Sequence, residues 1–497
     1  MAGHLRALAA RPALLASLAL GCLYLGVIGA HNYSIDGLLM YRQALAIVRD
    51  HSLRFAVPIY WGDTYSTSKY GIGLSLLYLP GVGLLSWLGL GVPAPQANAY
   101  DWDLFYRDPV YAAGAAPVSI MLTVATAYLV ARFIRELGFG SRAALLGLVA
   151  FGVASPAIVY SRGDFAQPLL AFCVIAGLLA AVRYRKSASR GALIAAGGSL
   201  FLAVLTRPVE GSFLLPALAA MIAPDLRLPR WQPAAYRALA VIAGSYAAAV
   251  AVTLLVNWVR FGSALQTGYS EVSWGTPIWI GLPGVLVSPA RGILWQFPLI
   301  VLAPLGLRTL WRRGEQRLAW VVAGLMTLLL VNTALWVPWW GAQSWGSRLF
   351  VPALPLAAVA AAIGAVSLRP ALRKWLPLVL VAGGILWAIP GTVTNLLGGY
   401  AARYDGTAQS FALSGYPPIG AWRYVHHLLA PNLSDANSVD IMWFRVAHLT
   451  HDLSLAVPVV LLVLAGFLAL RVVRLEQAPA SARTVSSGSE RPARKSG

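Results

Sequence analysis

The groups in this chain able to do chemistry are two carboxylates and a set of cations around them. Asp36 stands in HNYSIDGLLMYRQALAIVRDHSLRF, and Asp164 in YSRGDFAQP two residues after Arg162. Arg42 follows Asp36, and Lys69 and Tyr70 open the stretch STSKYGIGLSLLYLP. Arg207, Arg260, Arg291 and Arg348 fall in LTRPVEG, NWVRFGSALQTGYSEVSWGTP, SPARG and WGAQSWGSR. A carboxylate can act as general base toward a hydroxyl, and Arg and Lys bind and neutralise a phosphate. The set suits a reaction that deprotonates a hydroxyl and expels a phosphate.

What must position these groups is a membrane bundle. Of the 497 residues 58% are hydrophobic and 11% charged, with mean hydropathy +0.68, against roughly 25% charged in soluble domains. Apolar runs near the length that a hydrocarbon core of about 30 Å requires occur at 10–30, 113–134, 143–160, 168–183, 191–206, 209–223, 237–258, 293–310, 318–336, 349–367, 375–393 and 453–471. These predict about twelve transmembrane helices in an all-α polytopic protein. The first run follows Arg6 and Arg11 in the manner of a signal peptide, but its length and the spans after it predict a retained span.

A further apolar stretch, 70–91, is rich in glycine, and charge decides its place. If it lies in the interface, the loops on the N-terminal side carry 25 of the 38 Lys and Arg and only five acids, and the other side is neutral. The positive-inside rule then puts both termini in the cytoplasm. The net charge of +20 is therefore an orientation signal and does not imply a nucleic-acid partner. The expected organisation is a transmembrane catalytic module over 1–393 with a first outer loop at 31–112, an outer loop at 394–452, a last helix at 453–475, and a disordered cytoplasmic tail at 476–497. Cys22 and Cys173 both fall in spans, which excludes a disulfide framework.

With this topology the candidate groups share one face, each near a span end, where a charge is costly unless paired or hydrated. The plainer readings are an arginine that snorkels to the headgroups, Asp36 as a helix N-cap, and Asp164 paired only with Arg162. Trp339, Trp340 and Trp345 suit stacking on sugar faces or an ordinary interfacial belt. His448 and His451 have a helical i, i+3 spacing but lack a third metal ligand. Asp101, Asp103 and Asp108 read as solvated loop charges, and NLS at 432–434 as a chance sequon.

An aspartate just after the first span, an amphipathic helix, a Lys-Tyr pair opening an interfacial helix and an aspartate in the second outer loop together resemble a known family. They look like the GT-C superfamily of lipid-carrier-dependent glycosyltransferases, in particular the protein O-mannosyltransferase-like bacterial enzymes and the aminoarabinose transferases that modify lipid A. The resemblance covers about 1–210 in order and topology. It implies a GT-C-like bundle and inverting transfer of a sugar from a polyprenyl-phosphate donor to a hydroxyl of a lipid, glycan or protein, on the outer face of the cell membrane. By this resemblance Asp36 is the base, Asp164 orients the acceptor, and Arg42 and Lys69 contact the carrier phosphate. Tyr70, Arg162, Arg260, Arg291, Arg348 and Trp340 complete the expected substrate site. Relatives often carry Asp-Glu and Lys-Pro-Pro where this chain has Asp36-Gly37 and Lys69-Tyr70-Gly71. No nucleotide is called for, since no phosphate-loop or dinucleotide fingerprint is present, and the sequence leaves open whether a divalent metal takes part. A lipid-linked glycan flippase, and a ligase using a diphosphate-linked donor, are the alternatives.

Overall fold

The computed structural model describes residues 12–29, 31, 33–56, 58–61, 63–89, 109–223, 233–269, 274–395, 400–429, 437–447 and 452–477. Asp101, Asp103, Asp108, His448, His451, the sequon and the tail beyond 477 lie outside these residues.

Among the described residues seven helices are long and apolar enough to cross a membrane: Gly114–Glu136, Gln167–Ser187, Pro233–Phe261, Gln316–Leu335, Arg348–Val366, Pro370–Val393 and Leu453–Glu476. The protein is thus a multi-pass membrane protein. The other predicted spans fall on shorter or interrupted helices. Run 143–160 is divided into Ser141–Val153 and Ala157–Tyr160 at Pro156, and run 293–310 becomes Ile293–Gln296, a 3-10 turn Pro298–Leu302 and Ala303–Arg312. The cause is local: proline lacks the N–H that continues a helix and crowds the preceding turn. Among the described residues a short antiparallel hairpin, pairing Ile59–Trp61 with Asp63–Tyr65, departs from the all-helical expectation.

The centre of the bundle is the helix Leu354–Val366, LPLAAVAAAIGAV, in which every residue from Leu354 to Ala365 is buried. Its alanines let neighbouring backbones approach closely, as small residues do between membrane helices. Around it pack Ala303–Arg312, Ser141–Val153 and Pro109–Glu136. By contrast, Pro233–Phe261 and the last helix bury only 11% of their most apolar windows, so both flank the bundle with surface left for lipid. The helix Gly73–Trp87 has 15 residues, about 22 Å at 1.5 Å per residue, short of the ~30 Å hydrocarbon core.

Candidate active site

Asp36 sits in the first turn of the helix Ile35–Arg49. The cap of that helix is Ser34, whose extended backbone (φ −156°, ψ 149°) lets its hydroxyl accept from the Gly37 N–H at 2.9 Å. With the capping work done by Ser34, the Asp36 carboxylate is released for other partners. It is 9% exposed. The Tyr70 hydroxyl donates to Oδ1 at 2.6 Å, and the Arg348 guanidinium pairs with Oδ2. Burial by itself raises the Asp36 carboxyl, but Arg348, the Tyr70 hydrogen bond and Arg207 outweigh it and hold the group below the usual carboxylate range. For Tyr70, burial and then the Asp36 charge push the phenol well above its ordinary value, so it stays a donor.

The Lys69-Tyr70-Gly71 segment is pressed against the end of the helix Arg190–Thr206. A Cβ on Gly71 would meet the carbonyl oxygens of Leu205 and Thr206 at 2.3 and 2.4 Å, which explains why glycine stands here. The Tyr70 carbonyl accepts from Arg260 Nη1 at 2.8 Å, its ring meets Tyr269 edge-on at 5.9 Å, and Lys69 Nζ lies 5.8 and 5.6 Å from the centroids of the two tyrosines. Arg207 caps the same helix end and pairs with Glu210 one turn on, at 2.6 Å. Burial lowers the Arg207 guanidinium, yet Glu210 and Tyr269 together raise it above its ordinary value.

These groups wall a cavity of about 450 Å³. Asp36, Lys69, Tyr70, Arg207, Glu210 and Arg260 form its polar side, while Tyr246, Val250 and Leu254, from the lipid-flanking helix Pro233–Phe261, form an apolar one. Arg260 is 4% exposed, and its Nε and Nη2 lie buried without a partner beside this space. A buried guanidinium with unmet donors is costly, and an anion in the cavity would satisfy it.

The remaining predicted residues lie elsewhere. Asp164 is behind the Asp36 helix, 1% exposed, accepting from the Tyr33 N–H and the Ser34 hydroxyl at 3.3 Å. Arg162 turns away from it: Nε donates to the Val27 carbonyl at 2.6 Å, Nη1 to Gly391 at 3.1 Å, and Nη2 to the Tyr33 hydroxyl and the Asp440 carbonyl. Arg291 is fully buried among the carbonyls of Ala342, Ser344 and Tyr404, and burial lowers its guanidinium. Arg42 is partly buried on the Asp36 helix and is not part of the cavity wall. Trp339 and Trp345 are fully buried against other rings, and Trp340 Nε1 donates to Asp405 at 2.6 Å.

Sequence reasoning missed Glu210 and Tyr269, and it missed a buried ionic cluster around Asp440. Glu210 is legible in retrospect as the i+3 partner of Arg207. Asp440 accepts from Tyr33 at 2.7 Å and Arg445 at 3.0 Å, contacts His31 at 2.9 Å, and lies 3.4 Å from Arg162.

No protein family and no curated protein sequence matches this chain. Solved structures do. ArnT from Cupriavidus metallidurans in the apo state matches with TM-score 0.51 at 15% identity, over 93% of this chain and 76% of that one. The same protein bound to undecaprenyl phosphate gives 0.51 at 15%, over 95% and 79%. The apo Archaeoglobus fulgidus oligosaccharyltransferase gives 0.44 at 14%, over 82% and 56%. At such identities the likeness is one of fold alone, shared with ArnT over most of this chain.

Proposed function

We propose that this protein is a membrane glycosyltransferase that moves a sugar from a polyprenyl-phosphate donor to a hydroxyl acceptor, with inversion, on the membrane face opposite its basic loops. The carrying observation is the cavity that joins the Asp36 carboxylate to Lys69, Arg207 and Arg260 on one side and to an apolar flank of Pro233–Phe261 on the other. A donor with a reacting sugar, an anionic phosphate and a long hydrocarbon tail matches those surfaces. That ArnT has been solved with undecaprenyl phosphate bound supports the same class of ligand here.

The chemistry is a single in-line displacement. The acceptor oxygen attacks the anomeric carbon as its proton passes to Asp36, and the bond from that carbon to the phosphate oxygen breaks with its electron pair leaving on phosphate. Tyr70 and Arg348 each occupy one Asp36 oxygen, and each oxygen keeps a lone pair for the acceptor. Because Asp36 is held ionised, it is a weak base that takes the proton late, as the leaving phosphate gains charge. Lys69, Arg207 and Arg260 stabilise that charge, and phosphate needs no strong general acid. Preorganised electrostatics and positioning supply most of the rate. Asp164 supports Asp36 by fixing Ser34 and Tyr33, the residues that lead into its helix.

The test is transfer of labelled sugar from synthetic polyprenyl-phosphate sugars to cell-envelope extract by purified protein, with Asp36→Asn alongside. Transfer that vanishes in Asp36→Asn while donor still binds is expected. Equal transfer by both proteins, or none from any donor, overturns the reading.

A further inference from the structure

A second cavity, of about 620 Å³, lies at the other end of the same helices. The active-site cavity touches Ala166, just before Gln167–Ser187, whereas this one reaches Lys186 and Ser187 at its far end. The helix has 21 residues, about 30 Å at 1.5 Å per residue, so the two spaces belong to opposite membrane faces.

Its floor is the stripe Phe172, Ala176, Leu179 and Ala180, at helical spacing on Gln167–Ser187. Tyr128 and Leu129 form one wall and Ala192 and Ala195 the other, with Ser187, Gly191 and Ala195 exposed along the rim. Small side chains on facing helices leave a furrow that is apolar along its length. At its mouth the chemistry changes: Arg183 Nε and Lys186 Nζ each lie 3.2 Å from the Glu136 carboxylate. One acid faces two bases, and the exposed Arg132 stands one turn before Glu136, so the mouth carries excess positive charge. Exposed pairs of this kind are weak and give way to a competing anion. From Phe172 to Lys186 the furrow follows 14 residue steps, roughly 21 Å, enough to cover one leaflet of a ~30 Å core.

We infer that this furrow binds an anionic glycerophospholipid of the adjacent leaflet. One acyl chain lies along Phe172 and Leu179, and the phosphate sits between Arg183 and Lys186. Basic pockets between membrane helices hold anionic headgroups on this physical basis, and the apolar floor adds what a soluble anion lacks. The site is independent of sugar transfer.

Native mass spectrometry of the purified full chain, exposed to equal amounts of phosphatidylglycerol and phosphatidylcholine of matched chains, tests it. The wild type is expected to retain phosphatidylglycerol preferentially, by tenfold or more. Arg183→Gln with Lys186→Gln should abolish the preference. Ala192→Trp, which fills the furrow without altering charge, should reduce retention of both lipids while leaving the size-exclusion profile unchanged. Equal retention of the two lipids by wild type overturns the inference, as does a preference that survives both the charge pair and Ala192→Trp.

Discussion

A Cβ placed on Gly37 would fall 2.0 Å from the Cγ of Asp164. The two loops that supply the carboxylates are therefore in direct contact, with Asp164 lying over the first turn of the Asp36 helix and holding the Tyr33 N–H and Ser34 hydroxyl that precede it.

Gly37→Ala tests that packing. The methyl must displace a short buried side chain, so overpacking of about 1–3 kcal/mol is expected. Thermal unfolding in detergent should show a lower midpoint, and transfer should fall more than stability does, because the turn that aims Asp36 moves. Unchanged unfolding and transfer would mean that Asp164 has room to retreat.

Arg348→Gln should move the acid limb of activity upward. In the wild type Asp36 titrates below its ordinary 3.8, so the stability it contributes is full above that value and is lost as pH falls through the depressed one. Without Arg348 the burial effect dominates and Asp36 protonates at higher pH. A kcat/KM profile from about pH 4 to 8 should show the variant's acid limb displaced toward neutrality. An unmoved limb would show that Asp36 is not the titrating group.

Arg260→Gln should weaken the donor and spare the fold. Among the described residues its guanidinium donates to the Tyr70 carbonyl from Nη1, while Nε and Nη2 lie buried without a partner. Losing a charge-assisted hydrogen bond to phosphate, about 1.5–3 kcal/mol, predicts a ten- to hundredfold lower kcat/KM with donor, read by initial rates, at nearly unchanged thermal midpoint.

Much of this was legible because membranes constrain composition. Apolar runs marked the helices, and Asp36, Tyr70, Lys69, Arg260 and Arg348 stood out as ionisable or polar groups at their ends. What could not be read was which guanidinium meets which partner. Arg162 and Arg348 look alike in sequence, each in a Gly- and Ser-containing loop after an apolar run. One is consumed by the carbonyls of Val27, Gly391 and Asp440, and the other reaches Asp36, 312 positions away. Such pairings depend on how helix ends are brought together, and no local period encodes that. Trp339 and Trp345 misled for the same reason, since a buried ring and an interfacial one share a sequence signature.

The Asp440 cluster supplies the last test, because it separates a structural arginine from a ligand-binding one. His31, Tyr33, Arg162 and Arg445 converge on Asp440 with almost no exposure, tying the end of the first helix to the segment that precedes the last. Burial opposes the charge, but His31 and Arg445, with Arg162, hold the Asp440 carboxyl far below its usual range. Removing one member strands the others, which costs about 3–5 kcal/mol for a buried pair. Arg162→Gln and Asp440→Asn should each lower the unfolding midpoint strongly, and the double variant should lose less than the sum of the two. If Arg162 instead gripped donor or acceptor, Arg162→Gln would raise KM at a nearly native midpoint, and its effect would add to that of Asp440→Asn. The coupling in that cycle, read from unfolding, decides between an arginine that builds the site and one that serves it.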